Sequence, residues 1–100
     1  MTLIVNDKIE RLKHFYLLEH DDIILMLQLI NHYSSACPLG LHFDDMIALL
    51  TKGINHDKKY TVALLNRMAV TDLVVYDIRS QSYSVTKLGK EYLWDEYKNV

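Results

Sequence analysis

Apolar positions recur along this chain with a helical period, switch once to a period of two, and then return to the helical period. Val5, Ile9, Leu12 and Tyr16 fall on one helical face, with Lys8, Arg11 and Lys13 on others, so a first helix is predicted from an Asn6 or Asp7 cap to about Leu18. His20-Asp21-Asp22 interrupts the pattern, and Asp21 or Asp22 then caps a second helix from Ile23 to about Tyr33. That helix is apolar almost all round, which belongs in the middle of a fold. Ser34 to Gly40, with Pro38, reads as a connection, and Leu41-His42-Phe43 as a short strand or an extended approach. Asp44 or Asp45 opens a short third helix through Leu50, burying Met46, Ile47, Leu49 and Leu50. Thr51 to Asn55 reads as a tight turn, with Gly53 as the left-handed residue ending the third helix and Asn55 as the cap of a fourth, from about His56 to Val70.

The period-two stretch comes next. Leu73 to Ile78 is rich in β-branched residues, Tyr83-Ser84-Val85 is its partner, and Arg79 to Ser82 forms a polar hairpin tip. Thr86 caps a last helix from Lys87 to about Tyr97, with Leu88, Tyr92, Leu93 and Trp94 as its apolar members. A short helix joined to a longer one through a glycine-containing turn is the helix-turn-helix arrangement. Followed at once by a hairpin, it gives a mainly α fold with a small β-hairpin, a winged helix-turn-helix. The expected organisation is one domain over 1–100: an N-terminal helix in 1–20 that serves dimerisation, the helix-turn-helix in 43–70, the wing in 73–85 and a C-terminal helix in 86–98.

Two stretches carry a resemblance to a known family. Thr61 to Tyr76, TVALLNRMAVTDLVVY, is similar to a recognition helix running into the first wing strand. Tyr83 to Leu93, YSVTKLGKEYL, is similar to the return strand and the Thr-x-x-Gly turn into the closing helix. Together they resemble winged-helix transcription regulators of the MarR and PadR kind, over residues 43 to 93. One departure is Asp72, where that family often has glycine; aspartate tolerates the left-handed conformation at some energetic cost. The resemblance implies a cytoplasmic, homodimeric regulator of transcription of viral or prokaryotic type, binding duplex DNA without a cofactor. A winged helix used as a protein-interaction adaptor or inhibitor is the alternative it leaves open.

Composition changes this picture in two ways. The net charge is −2, which by itself disfavours nucleic acid, but its distribution is uneven. Residues 1–51 carry three cations against seven anions, residues 52–90 seven against three, and residues 91–100 one against three. The local field, not the total, meets phosphates. The only cysteine, Cys37, excludes a disulfide within the chain and favours a reducing compartment; no basic neighbour in sequence lowers its pKa for redox sensing. The longest apolar run, Ile23 to Leu27, is far too short for a membrane span, and no signal peptide is visible. Half the chain is hydrophobic, enough to build a core for a soluble domain.

The candidate chemistry is recognition rather than catalysis. Thr61, Leu64, Leu65 and Met68 point inward on the fourth helix, leaving His56, Lys58, Lys59, Val62, Asn66 and Arg67 outward, for the major groove. The lysines suit phosphates, the Asn66 amide suits adenine, and Arg67 suits guanine or the backbone. Thr51 and Lys52 would touch flanking phosphates, Arg79 an adjacent minor groove, Gln81 and Ser82 further polar contacts there, and Lys87 belongs to the same basic face. Ile9, Leu12, Phe15 and Tyr16 on the first helix, with Tyr92, Trp94 and Tyr97 on the last, form the expected dimer interface, plain core packing being the alternative for the aromatics. The histidines and Cys37 match no structural zinc spacing, so no metal is expected. No phosphate loop, nucleophile elbow or zinc-protease helix appears, and Asp21-Asp22 and Asp44-Asp45 read as caps, so no enzyme is expected.

Overall fold

The protein is described by a computed structural model that covers residues 3–36 and 42–98, with side chains over 8–35 and 42–95. It is mainly helical, with one two-stranded antiparallel sheet. The order is α1 (Leu3–Phe15), a single 3₁₀ turn (Leu17–Glu19), α2 (His20–Ala36), α3 (Phe43–Ile54), α4 (Lys58–Val70), β1 (Val74–Asp77), β2 (Ser82–Val85) and α5 (Lys87–Lys98). Val5, Tyr97 and Cys37, and the connection through Pro38, Gly40 and Leu41, fall outside the described backbone or side chains. Among the described residues no helix is long and apolar enough to cross a membrane.

α2 is the central element. Ile23, Met26, Leu27 and Ile30 are fully buried, and the helix packs on α3, β2 and α5. α1 begins at Leu3, so Asn6 and Asp7 lie inside it rather than capping it. It stops at Phe15, three residues short of the expected Leu18, because Tyr16 turns inward. That ring is fully buried, and its hydroxyl lies 2.8 Å from Thr71 Oγ1. The 3₁₀ turn then runs directly into α2, so Asp21 and Asp22 sit in the first helical turn, where carboxylates favour the positive end of the helix dipole.

The corner between α3 and α4 differs from expectation in its chemistry. α3 starts at Phe43, with His42 Nδ1 accepting the Asp44 N–H at 3.3 Å, and continues four residues past Leu50. Gly53 therefore lies within the helix. Its missing Cβ admits Leu29 of α2, whose Cδ1 would stand 2.5 Å from an added methyl. The left-handed residue that ends α3 is Asn55, at φ 59°, and the cap of α4 is Asp57, whose Oδ1 accepts the Tyr60 N–H at 2.8 Å. Asparagine takes that conformation more readily than most residues, and an extended aspartate is a strong N-cap. Thr51 donates its hydroxyl to Thr61 Oγ1 at 3.1 Å, and Thr61 donates to the Asp57 carbonyl at 2.9 Å. Thr61 is thus a fully buried polar residue with its hydrogen bonds satisfied, and it ties α3 to α4.

At its other end α4 closes with a Schellman motif. Leu73 N–H reaches the Met68 carbonyl at 2.9 Å, Asp72 N–H reaches Ala69 at 3.1 Å, and Asp72 holds φ 66°. The sheet then pairs Val74 with Val85 at its base and Asp77 with Ser82 at its tip, so Ser82 belongs to the strand and the loop is Ile78 to Gln81. Asp77 shapes that loop by accepting the Arg79 N–H at 3.0 Å, and Gln81 supplies the left-handed step at φ 54°. Val74, Tyr83 and Val85 are buried, and Phe43 of α3 stands edge-on to Tyr76 at 6.4 Å between centroids. Thr86 caps α5 as expected: its Oγ1 accepts the Gly89 N–H at 3.0 Å and turns its own proton toward the Asp72 and Leu73 carbonyls. Gly89 is required by this seat, since a Cβ there would stand 2.1 Å from the Leu73 carbonyl oxygen and 2.6 Å from Val85 Cγ1.

Candidate nucleic-acid interface

The buried face of α4 is Thr61, Leu64, Leu65 and Met68, the four inward positions read from the sequence. Opposite them, at helical spacing, Lys59, Ala63, Asn66 and Val70 form the exposed stripe. Val62 is not outward: it is half-buried and packed against the core, and the position facing solvent beside it is Ala63. Arg67 falls on a flank that faces the start of α2. Its Nη1 lies 3.1 Å from Glu19 Oε1, and its guanidinium stands 5.5 Å from the Phe15 ring centroid and 5.4 Å from that of Tyr16. It stays exposed, but a carboxylate and two rings hold it against the protein's own surface.

His56 and Tyr60 are bound in the same way. Their rings stack at 4.0 Å, His56 Nε2 lies 3.3 Å from Asp22 Oδ2, and the Tyr60 hydroxyl donates to that oxygen at 2.8 Å. Burial, and then the hydrogen bond and charge of Asp22, push the Tyr60 phenol up to about 12. Asp22 thereby fastens the start of α4 to α2. This network has no periodic signature in the sequence, because its members lie up to 38 residues apart on three segments; Asp22 reads as a cap and His56 as a groove contact, and nothing links them. Thr51 is likewise committed, its single hydroxyl proton being given to Thr61.

What remains at the corner is basic. Lys52, Lys58 and Lys59 are exposed, and Lys52 and Lys58 line one groove of about 490 Å³ with Thr51, Asn55 and His56; Asp44 shares that groove. Among the described residues no carboxylate oxygen lies within 4.0 Å of a Lys52, Lys58, Lys59, Arg79 or Lys87 nitrogen. The carboxylates nearest in sequence are occupied by backbone: Asp57 caps α4, and Asp77 folds the hairpin loop. Arg79 and Gln81 are exposed in that loop. Lys87 is not brought to them, because it follows the base of the hairpin while they occupy its tip, roughly 13 Å of strand away.

The expected dimer surface is only partly a surface. Ile9, Tyr16 and Tyr92 are core residues, and Tyr92 also places its hydroxyl 3.2 Å from His20 Nδ1, so none of the three can meet a partner. Their burial closes the joint between α1, α2 and α5, a small domain having few other large side chains to fill it. Leu12 is half-buried, Phe15 and Trp94 are exposed, and the side chain of Tyr97 lies outside the described residues. Four further apolar residues, outside that expected surface, are largely open to solvent: Leu17 at 67 %, Leu18 at 95 %, Val70 at 85 % and Ile78 at 80 %. Among the described residues no group of three histidine, cysteine, aspartate or glutamate side chains converges to hold a metal. No family model, no curated protein and no solved structure matches this chain.

Proposed function

We propose that the chain is a winged helix-turn-helix protein that binds duplex DNA as a homodimer, with the N-terminal half of α4 in the major groove and the hairpin loop beside it. The observation that carries this reading is the set of cations at the α3–α4 corner and the hairpin tip. Lys52, Lys58, Lys59 and Arg79 are exposed and make no ion pair within 4.0 Å among the described residues, although Asp44 shares the groove of Lys52 and Lys58, whereas Lys13 and Arg67 are taken up by Asp95 and Glu19. Unpaired cations at the start of a helix suit phosphates, since the helix dipole adds to their field. Lys59, Ala63 and Asn66 then present a narrow outward stripe, a small residue between two polar ones, of the kind that lets a helix approach base edges.

A second reading is a winged-helix adaptor that docks another protein and binds no DNA. It is favoured by Glu19 and Asp22, which hold two of the expected groove contacts, Arg67 and His56, against the body of the protein. Fluorescence anisotropy with a mixed-sequence labelled duplex across a salt series separates the two. Four phosphate contacts predict about a 100-fold loss of affinity between about 50 and 200 mM salt, and Lys58→Ala/Lys59→Ala lowers the salt slope by about 2. Folded protein that binds no duplex at the low-salt end refutes the DNA reading.

A further inference from the structure

Phe15, Leu17, Leu18 and Val70 are exposed apolar residues at the end of α1, in the 3₁₀ turn and at the end of α4. Phe15 and Val70 line a single apolar groove with Asn66, Arg67 and Thr71. Leu17 and Leu18 follow Phe15 in the 3₁₀ turn, which is held against α4 by the contacts of Tyr16 with Thr71 and of Glu19 with Arg67. At 58 %, 67 %, 95 % and 85 % exposure, the four leave on the order of 500 Å² uncovered, the size of a functional patch.

We infer that this surface is where two copies of the chain meet, deepening the dimeric part of the proposed function and moving the interface from the terminal helices to the joint between α1, the 3₁₀ turn and the end of α4. Three features point to a second copy. Two such patches bury about 1,000 Å² before any rim is counted, which is the lower bound of a specific interface. The charged groups beside the groove, Glu19 and Arg67, already neutralise each other within one copy, so two copies meet there without net charge repulsion. Val70 ends α4 about 18 Å of helix rise from Lys58, so a dimer formed here leaves both basic corners open to DNA while drawing Asn66, which lines the groove, away from the base-reading stripe.

Sedimentation of the full chain, without DNA, tests this over about 1 to 500 µM. A mass rising from 11.7 kDa to twice that value is expected, with dissociation in the micromolar range. Leu18→Glu/Val70→Glu places two carboxylates per copy in the interface, each repeated by symmetry, and weakens dimerisation by at least about 100-fold. Leu18→Gln/Val70→Thr, a milder pair, weakens it in the same direction. Both sites are open to solvent, so far-ultraviolet circular dichroism stays unchanged, as does the melting temperature at concentrations where the parent is monomeric. Trp94→Glu, on α5, leaves the dimer intact. A chain that is monomeric throughout, a dimer indifferent to the Leu18/Val70 pairs, or one broken only by Trp94→Glu overturns the inference. The duplex titration on the same samples separates the two proposals: a dimer that ignores DNA supports this interface alone, and a monomer that binds DNA refutes it alone.

Discussion

Gly89→Ala is the substitution for which the structure and the helix scale disagree in sign. Position 89 lies in the first turn of α5, where alanine in place of glycine ordinarily stabilises by at most about 1 kcal/mol. Here the added methyl would stand 2.1 Å from the Leu73 carbonyl oxygen and 2.6 Å from Val85 Cγ1. Either α5 or the start of β1 has to move. Overpacking of this kind costs about 1–3 kcal/mol. The same oxygen accepts the Thr86 N–H at 3.1 Å, a bond worth about 1 kcal/mol that the displacement weakens. The balance is a loss of about 2 kcal/mol, or roughly 8–16 °C in melting temperature for a domain of this length. Urea and thermal unfolding followed by the single tryptophan, Trp94, read this directly. Gly53→Ala is the matched control. Its methyl meets only the end of the Leu29 side chain, which can change rotamer for about 1 kcal/mol, so its stability stays within about 1 kcal/mol of the parent. If Gly89→Ala melts at or above the parent temperature, the seat of α5 on the hairpin base is wrong, and with it the placement of the hairpin beside α4.

Other expectations follow from single sites. Asp72→Gly relieves a left-handed aspartate at the end of α4 and raises stability by about 1 kcal/mol in urea melts; a fall would contradict the Schellman geometry. Tyr60 keeps its proton to about pH 12 in the fold but loses it near its ordinary value of 10.0 when unfolded. Its contribution is therefore complete below pH 10.0 and drains away as pH rises toward about 12, so Tyr60→Phe should flatten that part of the alkaline limb, and Asp22→Asn should bring the tyrosinate absorbance change to lower pH. Asp44→Asn removes the carboxylate from the α3–α4 groove and should strengthen duplex binding a few-fold at low salt, with little effect at high salt. Equal affinity of the two proteins at low salt would place the phosphates away from that groove.

The elements were legible where periodicity or a cap spoke for them. The inward face of α4, the hairpin after it and the Thr86 cap all stand where the pattern put them, because each depends on residues close in sequence. Asp72 is left-handed, the conformation that its place between helix and strand demands. The α3–α4 corner misled because Gly53 offers two uses, a left-handed turn or a close helix approach, and only the presence of Leu29 decides between them. Tyr16 and Tyr92 take the core reading and not the interface one, a choice the sequence leaves open because an aromatic on a helix face looks the same whether a partner chain or its own fold covers it. Arg67 is exposed, as helix spacing has it, but its pairing is with Glu19, 48 residues away, which spacing cannot show. Candidate binding residues are the least local property of such a chain, since an exposed cation and a paired one differ only in what folds next to them.

The two helical glycines also differ in how they can be inherited. Leu29 crowds Gly53 with a side chain, so a larger residue at 53 can be offset by a shorter one at 29, and the two positions are free to drift as a pair. Gly89 is crowded by the carbonyl oxygen of Leu73, an atom that every amino acid brings to that place. No exchange at 73 removes it, and shortening Val85 relieves only the lesser contact. A selection for second-site suppressors should therefore return changes at 29 for a damaging substitution at 53, and little but reversion to glycine for one at 89.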